Sequence, residues 1–263
     1  MSTASQPFQS AISQDEIRSF LVTKPLVGHL YQKVCTYFGS SLHVFRQEPG
    51  VGTSGVSFGQ SSKPADILLR ICTDSGNVAA GIAHELLHLK MAMDSFPVRI
   101  ATNEFTIGPK IFENIVRINN TVQHAIFHDE FISLGFRTEE FVADWEINGN
   151  PTEWKLAAQE HLRKGEPRVR GAWITCYFIE TVSRHFGWPN QADQVFKIGR
   201  ELFPSRMDID AQWLTHWFAR GEFRNSYQYL SAVNALLNRF EFPNAEMERL
   251  HRSASGLEFV SAN

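Results

Sequence analysis

The apolar positions of the chain follow two rhythms, one in the first third and another in the remainder. Residues 1–13 are mostly polar and read as an N-terminal lead. From Asp15 to Phe38 apolar residues recur at helical spacing, with a break expected at Pro25. Ser41 to Gln47 alternates apolar and polar as a strand does. The turn-rich segment Gly50 to Gly55 and a short returning strand at Val56–Phe58 follow. Ala65 to Cys72 (ADILLRIC) is the best strand of the chain, short and apolar. Asp74, Ser75 and Asn77 offer N-caps for a helix from Val78 to Met93. Pro97 to Ala101 can form another short extended piece.

A second, better-punctuated helix opens at Gly108-Pro109 and closes at Gly135, with Phe136 packing back on it. From there the three- and four-residue spacing continues almost to the C-terminus. Helices are expected over Glu139–Ile147, Pro151–Lys164, Val169–Phe186, Gln191–Phe203, Ile209–Ala219 and Asn225–Phe240. Strands first and helices later is an α+β arrangement: a small N-terminal β-sheet with its helices, then a mostly α-helical C-terminal half. The expected organisation is a lead at 1–13, one part over 14–137 and a helical part over 138–263 packed on it, the last two within reach of one continuous domain.

Composition adds little. At 263 residues, 43% hydrophobic and 20% charged, the chain is long and apolar enough to bury a core without a disulfide or metal staple. The 21 Phe against 5 Tyr point to an aromatic core. A net charge of −3 without a long basic run gives no footprint of a general nucleic-acid binder. No stretch reads as a secretory signal or a membrane span. Three widely spaced cysteines, Cys35, Cys72 and Cys176, suit buried thiols in a reducing compartment, so a cytoplasmic location is expected and the sequon at Asn119 is given no role.

The candidate chemistry lies on the Val78–Met93 helix, which reads VAAGIAHELLHLKMAM. It contains His84-Glu85-Leu86-Leu87-His88, an H-E-x-x-H. Residues four apart share a helix face, so both imidazoles can converge on one ion. Glu85 is turned about 100° from His84, which lets it flank an ion without ligating it and reach a water there. The rest of the helix is apolar nearly all round, the mark of a buried helix. Two imidazoles and a carboxylate in such a place cost several kcal/mol unless paired or bound to metal. Two core histidines bonded to backbone, with the carboxylate paired to an arginine, is the bland alternative.

These residues, with the strand Asp66–Cys72 upstream, resemble the HExxH zinc metallopeptidases, the zincins. The resemblance covers about 60 residues, an approximate span set by the motif and its flanking strand. It implies His84 and His88 as zinc ligands and Glu85 as general base. It also implies an edge strand bordering the cleft above the helix and pairing with extended substrate. The activity it implies is zinc-dependent hydrolysis of a peptide or protein substrate by an activated water. Alternatives are a non-peptidase zinc amidohydrolase or deformylase-like enzyme, although the G-C-L-S context of peptide deformylase is absent, and a non-catalytic zinc-binding regulatory protein.

A catalytic zinc site takes three protein ligands. The third-ligand patterns of thermolysin-like enzymes, metzincins and aspzincins are all missing. The Pro109–Leu134 helix instead carries a polar stripe at Glu113, Arg117, Asn120, His124 and His128. His124 is the first choice for third ligand, with His128 and Glu113 as alternatives. Asn120 and Arg117 are candidates to orient ligands or hold a substrate carboxylate. Asp144 can hydrogen-bond a ligand histidine, although the acids Glu139, Glu140, Asp144 and Glu146 more ordinarily form a solvated face. Tyr177, His185 and His216 are candidates to stabilise a transition state.

The remaining features have bland readings. Gly50 to Gly55 matches G-x-G-x-x-G without the flanking strand and helix of a dinucleotide site, and reads as a hairpin loop or a flap at the cleft. Arg163–Arg170 is a short basic loop, and Trp213 and Trp217 are expected in the core.

Overall fold

A computed structural model describes residues 10–47, 54–59, 65–101, 104–141 and 150–262. The fold is α+β, with the strands of one sheet in the N-terminal third and a mostly helical C-terminal half. The chain opens with α1 (Gln14–Leu21) and α2 (Pro25–Phe38), separated where Pro25 takes the first turn of the second helix. Then come β1 (Leu42–Arg46), β2 (Gly55–Phe58), β3 (Ile67–Ile71) and α3 (Val78–Met93). Next are β4 (Pro97–Ile100), α4 (Glu104–Ile107), α5 (Pro109–Ser133) and α6 (Thr138–Phe141). The C-terminal half holds α7 (Pro151–Arg163), α8 (Val169–His185), α9 (Ala192–Leu202), α10 (Arg206–Arg220), α11 (Tyr229–Arg239), β5 (Met247–Ser253) and β6 (Gly256–Ser261). Among the described residues no helix is long and apolar enough to cross a membrane.

Two compact units are interleaved along the sequence, and both α5 and β5 belong partly to each. The first comprises Met1–Ser95, Asp129–Asp144 and Leu250–Val260. Its sheet runs β1-β3-β2, with β1 parallel and β2 antiparallel to the central β3. Ile67, Leu69 and Ile71 point into the core and are fully buried, while Leu68 and Arg70 on the other face are half-buried. Helix α3 packs on β2, β3 and α2. It is buried on nearly every side, as its composition requires. Of the three N-cap candidates, Asn77 is the cap: its side chain accepts from the Ala80 amide at 3.1 Å. Asn77 also donates to Glu140 at 2.6 Å, and Glu140 accepts from the Arg137 amide, so this acid is tied to a helix start rather than standing on a solvated face. Gly135, at φ 92°, ends α5, and Phe136 stacks on Phe131 at 4.7 Å.

The second unit comprises Phe96–His128, Trp145–Arg249 and Ser261–Asn263. Helix α9 packs against α7, α8 and α10. Trp217 is buried and stacks on Phe223 at 4.7 Å, as a core residue. Gly171 on α8 passes so close to the chain after α11 that an added Cβ would stand 2.0 Å from the Phe240 carbonyl oxygen. Arg170 and Arg239 close on the buried Asp210 at 2.7 and 2.6 Å.

The hairpin β5–β6 is not among the expected elements. β5 pairs antiparallel with β4, in a second sheet of order β4-β5-β6. The alternation in Gly256–Ser261 is its signal, with Leu257 and Phe259 buried, but β5 buries Met247 and Leu250 and so breaks the two-residue rhythm. The expectations for residues 1–9, for Gly50–Thr53, and for the helix beyond Phe141, with Asp144 and Glu146, lie outside the described residues.

Candidate metal centre

Helix α3 carries His84, Glu85 and His88. Asn77 caps its start, and Ile82, Ala83, Leu86 and Leu87 are fully buried and fix its rotation. The rings of His84 and His88 lie 5.1 Å apart at an interplanar angle of 63°, so one turn of helix presents both imidazoles to one point. Gly81, one turn ahead of Glu85, lies against the Ser54 hydroxyl, which also accepts from the Cys72 amide at 3.0 Å. That contact fixes the start of α3 against the ends of β2 and β3.

On α5, His124 is buried at 1% exposure. The ligand atoms of His84, His88 and His124 all lie within 4.8 Å of one another, and this group can hold a metal ion. His84 and His124 are buried and His88 is half-buried. Burial first, and then neighbouring His88, hold the His84 imidazole well below its ordinary range. It is therefore neutral at pH 7, the form in which imidazole ligates metal. Three imidazoles in such a place fit a borderline cation such as zinc. Glu85 is 5% exposed on the same turn as His84. The Phe141 ring lies 5.0 Å from the His84 ring and edge-on to Phe131 at 4.9 Å, which makes an aromatic wall on that side.

The other members of the stripe are elsewhere. Glu113 is exposed and pairs with Arg117 at 2.6 Å. It shares a helix face with His124 but stands eleven residues away, about 16 Å along the axis. His128 is buried one turn beyond His124, its ring 4.4 Å from Phe186 and 5.3 Å from Trp188. Among the described residues it is not part of the histidine group. Asn120 is half-buried. Of the three candidate transition-state residues, His185 and His216 are exposed and the Tyr177 ring lies tilted against Phe196 at 5.5 Å.

Several residues that position this region had no sequence signal. Tyr229 on α11 donates to the Asn119 side chain at 2.8 Å, and burial pushes its phenol above the ordinary range against a hydrogen bond with Gln123. Asn119 and Gln123, which precede His124 on α5, are therefore anchored to α11. Phe141 lies far along the chain from His84, and nothing in its neighbourhood announces the contact. The strand Asp66–Cys72, which the zincin resemblance would put at a cleft edge, is central in its sheet, with β1 and β2 on its two sides.

Compared with protein-family models, curated proteins and solved structures, the chain matches none of them.

Proposed function

We propose that the protein is a zinc-dependent hydrolase of the HExxH type that cleaves peptide bonds. The observation that carries this reading is the group formed by His84, His88 and His124, whose ligand atoms lie within 4.8 Å of one another beside the buried Glu85. In it His84, His88 and His124 hold the ion. When bound, zinc supplies Lewis acidity, which polarises a carbonyl and acidifies a water. The Glu85 carboxylate takes the proton of the attacking water and returns it to the leaving amine. The peptide substrate is supported by β2, an edge strand packed on α3 and able to pair with extended chain. The cytoplasm suits the three free cysteines.

The test is Glu85→Gln, assayed for zinc content and for cleavage of an unfolded protein substrate. The variant keeps about one zinc per chain and loses at least about a hundredfold in turnover, the scale of a removed general base. Turnover at the wild-type rate, or a wild-type chain that binds no zinc, refutes the reading.

A further inference from the structure

The second unit contains a cavity of about 610 Å³ at the N-terminal end of α5. That size falls within the roughly 300–1,000 Å³ of small-molecule sites. Its walls are apolar: Ile111 from α5, Trp154 from α7, Val169, Ala172 and Trp173 from α8, and Phe242. Cys176 lies one turn beyond Ala172 and also lines it. Burial pushes the Cys176 thiol up to about 11, so at neutral pH it is an uncharged wall rather than a nucleophile.

The charged residues Lys110, Glu166 and Arg168 are exposed and form the rim. Their charges do not cancel. The one acid, Glu166, is held below the ordinary carboxylate range by the His161 hydrogen bond at 2.8 Å and by nearby charges that include Lys110, so it offsets one of the two positive charges and leaves the rim net positive. Lys110 and Arg168 form no ion pair with another described residue. Arg168 uses its Nε on the Glu241 carbonyl oxygen at 3.2 Å, which steadies the guanidinium at the rim. Its backbone is left-handed, φ 68°, a conformation that non-glycine residues adopt chiefly where the surroundings impose it. An apolar chamber whose mouth carries two cations against one acid, a net positive charge, complements a ligand with a hydrocarbon body and one acidic head.

We propose that this cavity binds a small amphipathic carboxylic acid, with its hydrocarbon body against Trp154, Trp173 and Phe242 and its carboxylate at Lys110 and Arg168. The site is separate from the histidine group. Asn114, on its wall, is ten residues from His124, about 15 Å along α5. The proposal therefore stands whether or not the protein is a hydrolase.

Calorimetric titration of the full chain with decanoate, decanol and decyltrimethylammonium, each below its micelle concentration, tests it. Decanoate binds once per chain, at least tenfold more tightly than decanol, and the cation gives no binding. Charge reversal of both exposed rim residues, Lys110→Glu with Arg168→Glu, weakens decanoate at least tenfold and leaves decanol unchanged. Ala172→Phe, which fills the chamber, abolishes both. The rim variant alters only exposed side chains, so it decides the question even where Ala172→Phe fails to fold. The proposal is overturned by an absence of decanoate binding, by equal affinity for all three probes, or by undiminished decanoate binding in the rim variant.

Discussion

The Ser54 hydroxyl oxygen stands 3.0 Å from the point where a Cβ on Gly81 would lie, so a side chain at that turn of α3 requires the hydroxyl or the helix to give by a few tenths of an ångström. The same oxygen accepts from the Cys72 amide at 3.0 Å, so it cannot retreat without leaving a buried donor unsatisfied. Gly81→Val therefore pushes on the helix that carries His84 and His88. The expected cost is about 1–3 kcal/mol, the range for overpacking a filled site. Urea denaturation measures it. Combining it with Ser54→Gly costs less than the sum of the two single changes, because the pair shares one contact.

His124 and His128 are one turn apart and both buried, yet their surroundings assign them different work. On the proposed zinc site, His124→Ala is expected to reduce zinc content as far as His88→Ala does. His128→Ala retains the metal and loses about 1–3 kcal/mol of stability through its contacts with Phe186 and Trp188. Elemental analysis of the purified variants separates the two. Zinc lost from His128→Ala and kept in His124→Ala would reverse the assignment.

Gly171 has less freedom than Gly81. Its would-be Cβ meets backbone, the Phe240 carbonyl oxygen at 2.0 Å, and no rotamer change relieves that. Gly171→Ala is expected to cost more than about 3 kcal/mol, in the tail of single-site effects. Circular dichroism during thermal unfolding reports it. A variant within about 0.5 kcal/mol of wild type, the range of neutral surface changes, contradicts the close approach of α8 to Phe240.

Glu180 on α8 gives the stability a pH dependence. Burial raises its carboxyl above the ordinary value of 4.5, opposed by the Gln191 amide and Arg184. The unfolded chain therefore releases this proton first as pH rises. The contribution of Glu180 is fully present below the unfolded value and is lost as pH climbs through the folded one. Glu180→Gln cannot ionise and can still accept from the Gln191 amide. Its advantage over wild type in urea midpoint grows from pH 4 to pH 7. A constant difference across that interval rules the effect out.

Local rules carried much of the fold. The cap at Asn77, the start of α2 at Pro25 and the end of α5 at Gly135 each depend on a few neighbouring residues, and the chain forms them as its sequence predicts. Local rules failed at β5, where burial of Met247 and Leu250 follows no two-residue rhythm that the sequence could announce. They failed again at Glu140, where an ordinary surface acid proves to be a partner of Asn77 sixty-three residues away.

The convergence of His84 and His88 was determined by the sequence alone, because 3.6 residues per turn put positions four apart on one face whatever surrounds the helix. Which residue of α5 joins them was not. Glu113, His124 and His128 share a stripe on which central placement favours His124 without excluding the other two, and packing groups His124 with the pair while Glu113 stays in solvent and His128 lies against Phe186. The cavity bounded by Trp154, Trp173 and Phe242 is likewise a product of tertiary structure. Its walls come from segments as far apart in the chain as Ile111 and Phe242, and a space between side chains leaves no pattern in the order of residues along a chain.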